Sequence, residues 1–240
     1  MLYFLHIPKT GGSALTTILD RHFKTSEILG PQGWPLVTPN QLVAINQYSL
    51  VRGHFGWGIT KQMNHPEIIT LLRNPIQNTI SKWHHIWYDR NTNHWLPKNI
   101  ALPRNLQEAV NHPIGKKLLS NPQTRYLALS LEVACGDYYE FLPDFLDPKI
   151  SRRALLAAAK QHLKQCYLIG HQEQLDKFCI ALCKKRGWEP QIPQQINVLP
   201  NRPNINKFSS TTINAIKAIN ALDQELYDFS KSLTNFRGKD

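Results

Sequence analysis

Long hydrophobic runs are absent from this 240-residue chain. No window approaches the roughly 18 apolar residues that a membrane-crossing helix needs. The opening segment, from Met1 to Lys9, has no basic residue ahead of its apolar stretch, and that stretch is too short for a signal peptide. Cysteine is scarce: Cys135, Cys166, Cys179 and Cys183, with no C-x-x-C pair. Cys179 and Cys183 fall four apart on an expected helix, which suits packing better than a disulfide. The pattern predicts reduced, buried thiols in a cytoplasmic protein. Internal repeats and low-complexity tracts are also lacking. Hydrophobic residues make up 42% of the chain and 23 residues are aromatic, which excludes a disordered tail protein. Acidic residues are in short supply, 17 against 28 Lys and Arg, for a net charge of +11. That balance fits an anionic ligand, a nucleic acid or a membrane surface without choosing among them.

What is present alternates between strand and helix patterns. Leu2 to Ile7 is a short run rich in β-formers, ended by Pro8, and reads as a buried strand. Thr10-Gly11-Gly12 is a turn, and Ser13 is placed to cap a helix from Ala14 to about Phe23. Tyr48 to Phe55, Glu67 to Arg73 and Tyr167 to His171 read as further strands. Pro75 opens a helix with Ile76, Ile80, Trp83 and Trp87 on one face. Asn91 to Pro122 reads as irregular, with a short helix near Leu106. Ser151 caps a helix to Gln165, and Glu173 to Lys185 forms another, stopped by Gly187. A closing helix from about Ser210 carries Ile213, Ile216, Ile219, Leu222, Leu226 and Phe229.

Strands alternating with helices predict one α/β domain over residues 1–240: a P-loop-type three-layer fold with a central, mostly parallel sheet flanked by helices. Residues 91–130 are expected to form an acceptor-side insertion, and 188–208 a long loop near the nucleotide. Ligands of such sheets bind beyond the carboxyl ends of the strands. Lys9–Ser13, His54 and Arg73 follow three different strands there.

The loop Pro8-Lys9-Thr10-Gly11-Gly12-Ser13 joins a strand to a helix. Its glycines allow a sharp turn and close approach by a ligand. Backbone N–H groups and the positive helix end favour a phosphate-like anion. Lys9 adds a full charge, and Thr10 and Ser13 add hydroxyl donors. A Walker A loop has its Lys after the glycines, followed by Ser or Thr; here Lys9 precedes them.

The motif His6-Ile7-Pro8-Lys9-Thr10-Gly11-Gly12-Ser13 resembles the 5′-phosphosulfate loop of sulfotransferases that use 3′-phosphoadenosine 5′-phosphosulfate (PAPS). Leu72-Arg73-Asn74-Pro75, with Ser81 eight residues after the Arg, resembles their 3′-phosphate motif. The pattern is similar to the carbohydrate branch that includes heparan sulfate 2-O-sulfotransferase. Thinner likeness extends to Arg52-Gly53-His54, Asn121 to Arg125, Tyr167 to Gly170 and Leu222 to Tyr227. The resemblance implies PAPS as donor, 3′,5′-adenosine bisphosphate (PAP) as product and no required metal. It also implies a hydroxyl acceptor, sugar-containing in that branch. It carries donor binding onto Lys9, Thr10, Gly11, Gly12, Ser13, Ala14, Arg73 and Ser81, and the catalytic base onto His54. Where the heparan branch has a second His two positions before the base, this chain has Arg52. Relatives in animals are anchored in the Golgi membrane; here Met1 directly before the first strand predicts a cytoplasmic enzyme.

The reaction would be in-line displacement on sulfur, in which the protein positions reactants and stabilises spreading charge. Lys9 would stabilise the bridging oxygen as the bond to the leaving phosphate breaks. A sulfuryl group is less negative than a phosphoryl group, so magnesium is less needed, and the sequence offers no clear metal constellation. His54 is the candidate base for the acceptor hydroxyl, with His84 and His85 as rivals. Trp95, Tyr126, Lys98, Arg104, Lys116, Lys117 and Arg125 suit an acidic sugar surface. Arg202, Lys207 and Ser209 could close over the nucleotide. Two other classes stay open. A P-loop nucleotide kinase-like phosphotransferase would want Lys after Gly and a strand-end carboxylate for magnesium. A basic nucleic-acid-binding protein is suggested by charge alone, without a zinc, helix-turn-helix or RNP-like pattern. No nucleic acid and no membrane span are expected.

Overall fold

The computed structural model describes residues 1–30, 37–88, 101–128, 151–194 and 203–233. Five strands form one sheet: β1 (Leu2–Leu5), β2 (Ile28–Leu29), β3 (Leu50–Gly53), β4 (Glu67–Leu72) and β5 (Leu168–His171). Their order is β2-β3-β1-β4-β5, and every neighbouring pair is parallel. The helices among the described residues are α1 (Gly12–Leu19), α2 (Pro39–Val43), α3 (Pro75–Tyr88), α4 (Leu106–Ala109), α5 (Pro113–Leu119), α6 (Pro122–Ala128), α7 (Arg152–Lys164), α8 (Leu175–Arg186), α9 (Ser210–Ile219) and α10 (Ala221–Leu233).

The central strand β1 is buried along its whole length, as an unbroken apolar run in a parallel sheet requires. The two-residue period of the strands sorts the core into two layers. Leu2 and Phe4, with Leu50, Ile69 and Leu71, pack on Leu15 and Ile18 of α1 and Phe178 of α8. Tyr3 and Leu5, with Val51 and Leu72, pack on the opposite layer through Leu127 of α6, Leu156 and Leu163 of α7 and Leu226 of α10. The chain is therefore three-layered, helices on both faces of an all-parallel sheet. A satellite core joins Ile80, Trp83 and Ile86 of α3 to Leu106, Leu119 and Ile216. No helix among the described residues is long and apolar enough to cross a membrane.

Several elements differ from the sequence reading. Helix α1 begins at Gly12, its N-cap is Gly11 in the left-handed region, and no side chain caps it. Ser13 is therefore the second helical residue and not the cap. Asn91 to Pro122, read as irregular apart from a short helix near Leu106, holds α5 and the first residue of α6. The expected closing helix is two, α9 and α10, broken at Asn220. Asn220 explains the break. Its Nδ2 donates to Thr79 Oγ1 and its Oδ1 accepts from the Asn121 backbone N–H, so its side chain ties the junction to α3 and to the start of α6. The short edge strand β2 has no counterpart in the sequence reading. Cys179 and Cys183 are free and buried, and Cys166 is free and half-buried; Cys135 lies outside the described residues.

Candidate functional site

Three strand ends meet at the carboxyl edge of the sheet, as the βα pattern predicts. Leu5 is in register with Gly53 on one side and Thr70 on the other. His6 and His54 therefore leave the sheet side by side, and Arg73 follows the end of β4 on the other flank of β1. The loop after β1 has unusual backbone: Lys9 has φ 66° and Gly11 has φ 92°. The left-handed region costs a non-glycine residue roughly 1–2 kcal/mol, so something must hold Lys9 there.

Side chains from around the site hold this loop by its carbonyls, one after another. His54 Nδ1 donates to His6 O at 2.6 Å and Thr10 Oγ1 to Ile7 O at 2.8 Å. Asn78 Nδ2 donates to Pro8 O at 3.0 Å and Arg73 Nη1 to Lys9 O at 3.0 Å. The N–H groups of Gly11, Gly12 and Ser13, by contrast, donate to no carbonyl of the described residues. They gather at the start of α1, where the dipole favours an anion. Gly12 is fixed by contact: a Cβ there would lie 2.1 Å from the imidazole of His6. Thr10 differs from expectation, since it is fully buried and its hydroxyl is spent on the loop itself. Ser13 is half-buried and Ala14 buried at the opening of the helix.

Arg73 is buried and its backbone is gripped on both sides. Its N–H donates to Gln123 Oε1 at 2.8 Å, and Gln123 Nε2 donates to its carbonyl at 2.9 Å. Gln123 is set in turn by Asp223, whose carboxylate accepts from the backbone N–H groups of Gln123 and Thr124 and from the Thr124 hydroxyl. Asn121 Oδ1 accepts from the N–H groups of Leu222 and Asp223, so the starts of α6 and α10 cap each other. Ser81 is buried on α3, and its hydroxyl makes no hydrogen bond within the described residues. The loop and Arg73 are in direct contact.

The geometry of His54 defines its proton. A carbonyl only accepts, so Nδ1 carries the hydrogen and Nε2 presents the lone pair. Burial pushes its pKa down to about 4; the bond to His6 opposes this, and Lys82, His85 and Lys9 add to the depression. His6 lies beside it, ring centroids 4.3 Å apart. Its pKa is also held well below the ordinary value, by burial first and then by His54, Arg52 and Lys9. Burial brings the Lys82 ammonium down to about 7, with Arg125 adding to the shift and Asp223 opposing it. The rival His85 is therefore close enough to act on His54. Arg52, standing where the heparan branch has a His, turns to Asp20 in a two-pronged pair at 2.6 and 2.8 Å. No group of three or more His, Cys, Asp or Glu able to hold a metal occurs among the described residues.

Asn78, Gln123 and Asp223 were not among the candidates read from sequence. Asn78 lies one helical turn before Ser81 on the same face, and Gln123 and Asp223 lie inside motifs already noted, so all three had a faint signal. Of the residues expected to form an acceptor surface, Tyr126 is buried beside His54, ring centroids 6.2 Å apart, and Arg125 is buried with Nη1 donating to Lys117 O. Arg104, Lys116 and Lys117 are exposed. Trp95, Lys98 and Arg202 lie outside the described residues. No protein-family model matches the chain, and no curated protein matches it.

Proposed function

We propose that this chain is a PAPS-dependent sulfotransferase that moves a sulfuryl group to a hydroxyl of a carbohydrate or glycoconjugate. The observation that carries the reading is the meeting of loop 9–13, Arg73 and His54 at one edge of the sheet. PAPS bears its 5′ and 3′ anions on a single ribose, so the groups that hold them must be neighbours. Arg73 bonded to the backbone of Lys9 fits that requirement. The guanidinium and the Ser81 hydroxyl suit the 3′-phosphate. The N–H groups of Gly11, Gly12 and Ser13, with Lys9, suit the 5′-phosphosulfate. The free thiols fit a reducing, cytoplasmic setting.

In the reaction, the acceptor oxygen bonds to sulfur as the bond from sulfur to the leaving phosphate oxygen breaks. Nε2 of His54 takes the hydroxyl proton, and Nδ1, bound to His6 O, keeps the ring aimed. Lys9 stabilises the negative charge that returns to the phosphate oxygen. Part of the depressed basicity of His54 comes from Lys82, His85 and Lys9. A polyanionic donor beside these cations offsets that part and strengthens the base when transfer is due.

The test is a variant pair. His54→Ala is expected to keep PAP affinity within about threefold and to lose transfer by about a hundredfold or more. Lys9→Ala loses donor binding or turnover. Stabilisation against heat by PAP without magnesium supports the reading. Stabilisation only by ATP with magnesium, or salt-sensitive DNA binding alone, rejects it.

A further inference from the structure

We infer that Asn78 is a positioning residue for Lys9: together with Arg73 it holds the two peptide planes on either side of the Lys9 Cα and so sets the direction in which the side chain leaves the backbone. The carbonyls that define those planes are Pro8 O and Lys9 O. Asn78 Nδ2 donates to the first at 3.0 Å, and Arg73 Nη1 to the second at 3.0 Å. With both carbonyls held, φ and ψ of Lys9 are restrained from both sides. The value that results, φ 66°, is one a lysine seldom adopts unaided. Strain kept at a residue of this kind needs surroundings that over-determine it, and Asn78 and Arg73 supply them.

The chemistry of the amide supports this assignment. Asn78 is 1% exposed, and its Oδ1 is buried with no hydrogen-bond partner among the described residues. An acceptor left unmet in a buried position is costly. Turning the amide over would not relieve it, because Oδ1 would then face Pro8 O, and two acceptors repel. An apolar side chain of similar size would avoid the cost and pack equally well. The polar residue is explained by the one bond it makes across 70 positions of sequence. Helix α3 thus works at two levels: Ser81 faces the donor site, and Asn78, one turn earlier, acts only through the backbone of Lys9.

The kinetic consequence rests on the sulfotransferase reading; the conformational one does not. Asn78→Ala is expected to lower kcat/KM by about ten- to hundredfold, the scale of a small misplacement of a charged group, and to weaken PAP by no more than Lys9→Ala does. Added to Lys9→Ala, the same change is expected to cost less than about twofold, because the group it positions is gone. Equal losses in both backgrounds overturn the inference, since Asn78 would then serve the fold alone. Asn78→Asp, which keeps the shape and loses the donor, is expected to be at least as impaired as Asn78→Ala, and wild-type turnover there overturns it too. Backbone chemical shifts of Lys9 by NMR give an independent readout. A left-handed Lys9 in wild type that relaxes in Asn78→Ala supports the inference, and an unchanged Lys9 overturns it. If the wild-type protein neither binds PAP nor transfers sulfuryl, the functional reading fails while this measurement still judges Asn78.

Discussion

The proton on His54 gives a quantitative prediction. Its pKa is brought down to about 4 by burial and three cationic neighbours, against about 6.5 for a free imidazole. At pH 5.5 a group titrating near 4 is about 97% neutral, and an ordinary His about 9%. The account therefore predicts a kcat/KM, which reports the free enzyme, that stays nearly flat down to about pH 5 and falls below it, about tenfold higher at pH 5.5 than an ordinary His would allow. The sign for stability follows from the same shift. The fold favours neutral His54, so its contribution is complete above pH 6.5 and is lost as pH falls from about 6.5 to about 4. That loss is at most about 3 kcal/mol, and less in proportion to the ring's contact with solvent. Long-range 15N–1H spectra of the His-labelled protein between pH 4 and 8 give both the tautomer and the titration. The Nδ1–H form is expected throughout the neutral range, and added PAP is expected to move the titration upward. An Nε2–H tautomer, or titration near 6.5 without ligand, would refute the reasoning.

Two further predictions concern the frame of the site. Gly12→Ala sets a methyl 2.1 Å from the His6 ring, so the ring or α1 must shift, at about 1–3 kcal/mol; melting temperature and PAP affinity should both fall, and an unchanged pair contradicts the packing argument. Asp223→Ala leaves the N–H groups of Gln123 and Thr124 and the Thr124 hydroxyl without their acceptor. It is expected to destabilise by about 2–4 kcal/mol in urea unfolding, and a loss below about 1 kcal/mol would mean the cap is dispensable.

The sheet and the glycine loop were legible because local chemistry decides them. Leu2 to Leu5 is apolar at every position, Pro75 suits a first turn, and Gly11 sits where φ is 92°. Helices α5 and α6 were hidden because each opens on a proline, Pro113 and Pro122, which punctuates a sequence whether it breaks a helix or starts one. The break at Asn220 was hidden because the apolar spacing runs through it undisturbed. Strand β2 is two residues long and carries no period. At the site, residue types announced Lys9, His54 and Arg73, while Asn78, Gln123 and Asp223 act on partners 50 to 100 positions away. No local pattern records such bonds. The same holds for Arg52, whose turn toward Asp20 depends on packing across 32 positions.

Calorimetric titration of the protein with PAP, in buffer containing a metal chelator, tests the central claim most directly. The account predicts saturable binding at one site, competed by PAPS, and weakened about a hundredfold or more in both Lys9→Ala and Arg73→Ala. Absence of binding, or binding that both variants retain, would contradict it.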